Sequence, residues 1–204
     1  MQLAIFDAMG HSLGAGLIAA TALSSYRAAR RAGAGLFGQA AAIDEAIAEH
    51  FGEAFATGVL AELDLASGAL RYVSAGHPAP LLLRAGKVVA RLEGGRRVPF
   101  GLGNGELTIG EAALEPGDML VLYTDGVTEA RDGAGSFFGA HRLVDFLERE
   151  AAARQSPPET VRRLLASVLR HQQNVLQDDA SVLLAQWAPP PPVPGADAQP
   201  SNWA

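Results

Sequence analysis

The stretch ATGVLAELDLASGALRYVS, residues 56–74, decides the fold. Within Ala56–Asp64, Val59, Ala61 and Leu63 alternate with other residues, and Leu65 continues the series, which is the period of a half-buried strand. Ser67-Gly68 supplies a tight turn and Ala69–Ser74 resumes the strand pattern, so Leu63 to Val73 reads as a β-hairpin. Working towards the C-terminus, Pro80–Arg84 and Val88–Leu92 form a second hairpin around Ala85-Gly86-Lys87. A Gly-rich loop from Pro99 to Gly105 leads to a strand near Leu107–Leu114. Pro116-Gly117-Asp118 turns the chain into Met119–Tyr123, an apolar run predicted as a central strand that ends in a turn at Thr124-Asp125-Gly126.

Helical patterns flank this run of strands in pairs. On the N-terminal side they cover Ser12 to Arg31, with Leu13, Leu17, Leu23 and Ala28 near one face, and Leu36 to Phe51, with Ile43, Ile47 and Phe51 on one stripe. Arg27, Arg30 and Arg31 end the first helix, where cations suit the helix dipole, and Gly33 and Gly35 break it. On the C-terminal side the helices cover Ala140–Ala153 and Pro158–His171, the latter opened by Pro157-Pro158. Leu3–Phe6 is a strand before the first pair, and Ala180–Trp187 is a strand after the second. Helices and strands are segregated rather than alternating, which predicts an α+β fold with a largely antiparallel sheet and excludes a Rossmann-type arrangement. The expected folded domain is 1–187. The Pro-rich stretch 188–204 reads as a disordered tail.

Composition narrows the chemistry. The chain has 204 residues, 49% hydrophobic and 19% charged, and no Cys. Disulfides, thiolate metal sites and Cys nucleophiles are therefore excluded. A net charge of −6 argues against a nucleic-acid-coating surface. No segment approaches the roughly 20 apolar residues of a membrane span, and the N-terminus lacks the pattern of a signal peptide, so a cytoplasmic location is expected.

Carboxylates recur at the ends of apolar strands. Asp7 follows Leu3–Phe6, Asp125 follows Met119–Tyr123, and Asp178 and Asp179 precede Ala180–Leu184. Each of these also suits an ordinary turn. If the strand ends meet at one sheet edge, however, the gathered carboxylates repel one another until cations neutralise them, and hard cations such as Mg²⁺ or Mn²⁺ are the ions such a donor set prefers. Gly10-His11-Ser12-Leu13-Gly14 is Gly-rich but lacks the Lys of a P-loop, which argues against nucleotide binding.

The residues around these carboxylates resemble a known family. Asp7-Ala8-Met9-Gly10-His11, Val73-Ser74-Ala75-Gly76-His77-Pro78-Ala79-Pro80, Tyr123-Thr124-Asp125-Gly126-Val127-Thr128-Glu129 and Asp178-Asp179-Ala180-Ser181 are similar, in order, to the motifs of PP2C/PPM-type metal-dependent serine/threonine phosphatases of the bacterial SpoIIE/RsbU-like subgroup. The resemblance implies an α-β-β-α sandwich and two Mn²⁺ or Mg²⁺ ions. It implies Asp7, Asp125 and Asp178 as catalytic metal-binding carboxylates, with the Ala8 carbonyl as a further ligand and Asp179 ranked below Asp178. It also implies a signalling role on a phosphorylated regulatory protein such as an anti-sigma-factor antagonist. Neither nucleic acid nor membrane is an expected partner.

The chain departs from the family pattern in two places. Ser12 stands where the family has Gly, and the Gly-Gly-Asp-type strand that opens the family has no counterpart before Leu3–Phe6. That departure implies either a fragment of an active enzyme or a degenerate domain with weak activity. It also implies an unpaired strand edge able to support a homodimer. The alternative function is accordingly a catalytically impaired domain that acts as a protein-binding regulatory module. Arg96-Arg97 is expected in a solvated turn, His77 in a structural role in its hairpin, and His50 and His171 at helix C-termini.

Overall fold

In a computed structural model, residues 1–8, 10, 13–103, 106–175 and 177–188 are described. The expected tail therefore lies almost wholly outside the described residues, as do His11 and Ser12. The chain runs β1 (Gln2–Ala8), α1 (Leu13–Arg31), α2 (Leu36–Phe51), β2 (Ala56–Leu63), β3 (Ala69–Ala75), β4 (Leu81–Arg84) and β5 (Lys87–Arg91). It continues through β6 (Arg96–Arg97), β7 (Gly110–Ala113), β8 (Met119–Tyr123), α3 (Asp125–Thr128), α4 (Gly139–Ala152), α5 (Pro157–His171) and β9 (Val182–Gln186).

Two sheets form. The first has the order β1-β2-β3-β6, with β7 also pairing β3, and the second has the order β5-β4-β8-β9. Every pairing is antiparallel except β3 with β6. The two sheets pack face to face through Val59, Leu63, Tyr72, Leu82, Leu120, Leu122 and Trp187. The outer face of the first sheet packs on α1 and α2 through Ile18, Ala22, Ile43, Ile47, Leu60 and Val73. The outer face of the second packs on α4 and α5 through Leu81, Leu83, Val121, Tyr123, Leu143 and Leu164. The result is the expected α-β-β-α sandwich.

This layering explains why β8 is apolar throughout rather than alternating. Leu120 and Leu122 face the inter-sheet core, while Val121 and Tyr123 face the helices. A strand covered on both faces exposes no side to water, so period two has no polar partner to mark it. Each fully buried leucine here contributes about 1.5–3 kcal/mol.

Three local expectations change. Asp125-Gly126 is not a simple turn: Asp125 begins the short helix α3. The strand expected near Leu107–Leu114 is confined to Gly110–Ala113. Arg96-Arg97 is a two-residue strand, β6, beside β3, and only Arg96 is exposed. The Arg97 side chain is 2% exposed, pairs with Asp44 at 2.7 Å and lies over the Phe100 ring. A guanidinium withdrawn from water needs such a partner, which ties β6 to α2. Among the described residues no helix is long and apolar enough to cross a membrane.

Candidate functional site

Asp7 is the penultimate residue of β1, and β1 lies at the edge of its sheet with β2 on one side. The antiparallel register sets Asp7 opposite Thr57 and Ala8 opposite Ala56. Asp125 enters from the other sheet, where β8 ends and α3 begins. Asp178 stands in the segment before β9.

Thr124 joins the last two. Its backbone N–H donates to the Ser181 carbonyl at 3.1 Å, its hydroxyl accepts from the Ser181 N–H at 2.9 Å, and it reaches the Asp179 carbonyl at 3.4 Å. Thr124 is buried, so these bonds face no competition from solvent. Gly126 completes the fit: a Cβ at this position would collide with the Asp179 carbonyl oxygen. On the far side Gln177 clips the segment down, donating to the Arg131 carbonyl at 2.9 Å and accepting from the Arg131 N–H at 3.1 Å. The acidic segment is thus pinned between β8 and the loop after α3.

These elements enclose a cavity of about 230 Å³ lined by Asp7, Ala8, Gly10, Phe55, Thr57, Asp125 and Asp178. All the residues named from the sequence as catalytic or metal-binding therefore line one space. A neighbouring cavity of about 310 Å³ shares Asp7, Ala8 and Gly10 and is lined further by Thr124, Asp179 and Ser181. Asp179 thus faces the adjoining cavity, and Asp7 borders both.

Neither lining contains a Lys or Arg. The Asp7 carboxyl is pushed up to about 6, first by burial, then by the negative charges of Asp125, Asp178 and Asp179, and by a hydrogen bond with Asp125. This is the signature of carboxylates crowded without a counter-charge. The donor set is all oxygen and its acidic side chains are unopposed by any cation, which fits hard divalent cations. Among the described residues, no three Asp, Glu or His side chains stand close enough to grip one ion as placed.

Thr57 and Phe55 line the same cavity and carry no signal in the sequence. They are ordinary residues at the start of a strand, and only the β1–β2 register brings Thr57 across from Asp7. His77 is 4% exposed, and its Nδ1 lies 2.9 Å from the Thr57 hydroxyl. It therefore sits behind the cavity wall rather than only shaping a hairpin. His171 does more than complement a helix end: its Nε2 bonds the Ser136 carbonyl at 3.0 Å, and its Nδ1 lies 3.0 Å from Arg142. His50 lies in the last turn of α2, edge-on to Phe51.

The sequence matches the family model of the Stage II sporulation protein E (SpoIIE) over residues 1–188. It is 31% identical over 131 residues to Protein IcfG of Synechocystis sp., a match that covers 64% of this chain and 20% of that protein's length. Among solved structures, the SiaA-PP2C domain of Pseudomonas aeruginosa superposes with a TM-score of 0.76 at 23% identity, over 91% of this chain and 75% of that one. The RsbU and RsbW domains of Rv1364c from Mycobacterium tuberculosis give a TM-score of 0.74 at 28% identity, over 94% and 53%. The catalytic domain of the serine threonine protein phosphatase PstP, in complex with two manganese ions, shares the fold with a TM-score of 0.65 at 18% identity, over 92% and 87%.

Proposed function

Because the chain belongs to the SpoIIE family of PP2C-type phosphatase domains, we propose that it hydrolyses phosphoserine or phosphothreonine on a regulatory protein. The observation that carries this reading is the cavity in which Asp7, Asp125 and Asp178 meet with no basic residue to neutralise them. In this reading Asp7, Asp125, Asp178 and the Ala8 carbonyl would hold two Mn²⁺ or Mg²⁺ ions. Such ions, when bound, lower the pKa of a water molecule and clamp phosphate oxygens.

The protein's own part is geometric and electrostatic. β1 holds Asp7 on a hydrogen-bonded ladder, and Thr124 and Gly126 hold the Asp178 segment against the start of α3. A rigid mounting matters because displacement of a reacting group by about 1 Å costs up to two orders of magnitude in rate. In this reading a water molecule attacks phosphorus directly, in line with the departing Ser or Thr oxygen, which leaves as the alcohol; the route needs no Cys nucleophile, and the chain has none. The M. tuberculosis neighbour combines RsbU and RsbW domains, which supports a phosphorylated regulator, such as an anti-sigma-factor antagonist, as the substrate class.

The test is turnover of p-nitrophenyl phosphate, then of a phosphoserine peptide, with Mn²⁺ or Mg²⁺ added. Activity is expected to require the ion and to fall by about two orders of magnitude or more in Asp125→Asn. A folded protein that turns over neither substrate with either ion overturns the phosphatase reading and leaves the protein-binding module in its place.

A further inference from the structure

One buried titratable side chain has no part in the chemistry above. His77 lies in the turn after β3, fixed by its neighbours. Gly76 adopts φ +63°, and a Cβ there would meet the Pro99 ring at 2.6 Å; the Ser74 hydroxyl donates to the His77 carbonyl at 3.3 Å. The imidazole has two nitrogens to satisfy. Nδ1 is 2.9 Å from the Thr57 hydroxyl. Nε2 is buried with no hydrogen-bond partner, and the Tyr123 main chain acts on the ring to favour its proton. Burial keeps the ring neutral, so it carries a single N–H.

Nδ1 already faces the Thr57 hydroxyl, and a main-chain group that favours a proton on the ring is a carbonyl acceptor; assigning the single N–H to Nε2 makes Nδ1 the acceptor. Thr57 then donates its single hydroxyl proton to His77. What remains of Thr57 on the cavity side is acceptor only. The arrangement has a consequence for Asp7, which stands opposite Thr57 in register. A hydroxyl committed to His77 gives no hydrogen bond to the carboxylate, and no bond from Thr57 acts on the Asp7 carboxyl. Both Asp7 oxygens stay available.

We propose that Thr57 is a positioning residue of the phosphatase site and that His77 sets its orientation. His77 takes the Thr57 proton, and the Thr57 oxygen accepts a hydrogen bond from water in the cavity beside Asp7. This rests on the phosphatase reading, deepening it with two residues outside the carboxylate set. The water keeps its oxygen lone pair free for attack, because Thr57 engages it through a proton.

The experiment combines two readouts. In the metal-free protein, nitrogen–proton correlation spectra of the imidazole are expected to give His77 as the Nε2–H tautomer. The Nδ1–H tautomer overturns the proposal, whatever the enzyme does. In p-nitrophenyl phosphate turnover with Mn²⁺, Thr57→Val keeps the side-chain shape and removes the acceptor. It is expected to lower kcat about ten- to a hundred-fold with KM within about two-fold and Mn²⁺ affinity by calorimetry within about three-fold. Thr57→Ser restores most of kcat. His77→Asn, whose side-chain oxygen replaces Nδ1 as acceptor, retains more activity than His77→Leu. The double variant Thr57→Val, His77→Leu is no slower than the worse single variant. Circular dichroism checks that each variant folds, and Thr57→Val carries the test if His77→Leu does not. If the wild type is active and Thr57→Val matches it, the positioning role is wrong and the phosphatase reading stands. If the wild type has no turnover, both fall, and the tautomer alone describes a structural bond.

Discussion

At the scale of the residue, Asp7 is the most informative side chain. Its carboxyl is pushed up to about 6 by burial and by its acidic neighbours. A raised folded-state pKa means that the native state disfavours the charge. The penalty is present above pH 6 and is relieved as pH falls from about 6 towards 3.8, where the unfolded chain also takes up the proton. Asp7→Asn removes the charge and keeps the shape. The variant is expected to be more stable than the wild type without metal at pH 7.5, by roughly a few degrees in Tm, and the gain should vanish near pH 4. Added Mn²⁺ should raise the wild-type Tm and leave the variant unmoved. Thermal unfolding at two pH values, with and without Mn²⁺, measures this. A metal-free variant less stable than the wild type would mean that the carboxylates are not in conflict. Asp7, Asp125 and Asp178 could be named from the sequence because each lies at the end of an apolar strand and, more decisively, because the residues around them resemble the family's motifs. Thr57 could not be, since a threonine within a strand is ordinary and nothing in its local sequence marks a role.

At the scale of the element, the junction of β8, α3 and the 177–181 segment decides whether the site exists. Gly126 has an ordinary backbone conformation, so its requirement is space rather than torsion: the Asp179 carbonyl occupies the position of any Cβ. Gly126→Ala is expected to push the Asp178-Asp179 segment away from Asp125. Mn²⁺ affinity should fall about ten-fold or more, with a stability loss of about 1–3 kcal/mol from overpacking. Calorimetric Mn²⁺ titration and urea unfolding read the two effects separately; unchanged affinity would show that the segment is not held by this contact. The long helices and the strands from β2 to β5 followed directly from periodicity. β6 did not, because two residues carry no period; it forms by backbone pairing with β3, and the Arg97–Asp44 pair ties it across the sheet–helix boundary. The helix at Asp125–Thr128 was hidden for a similar reason: one turn of helix and a turn share the residues Asp and Gly.

At the scale of the whole molecule, global stability responds to pH through groups that the layers bury. The His77 imidazole is driven down to about 4 by burial. Above its ordinary value near 6.5 both states carry it neutral, and its full contribution is present. As pH falls from 6.5 towards 4 the unfolded chain takes a proton that the native state refuses, and about 3 kcal/mol is lost. Asp7 acts with the opposite sign over nearly the same range, so the bare wild-type profile understates both. The difference in urea-unfolding free energy between wild type and His77→Asn isolates the histidine: the wild type's advantage should shrink by about 3 kcal/mol between pH 7 and pH 4. A difference that does not change with pH would place His77 in contact with water. The sequence by itself determined the order of elements, the segregation into α+β and the acidic strand ends, because periodicity and strand-end position are local properties of the chain. Only the tertiary structure decided that Asp7, from one sheet, meets Asp125 and Asp178, from the other, and that Thr57 and His77 stand behind them. Those neighbours are set by strand register and sheet stacking, which join residues far apart in sequence and leave no local trace.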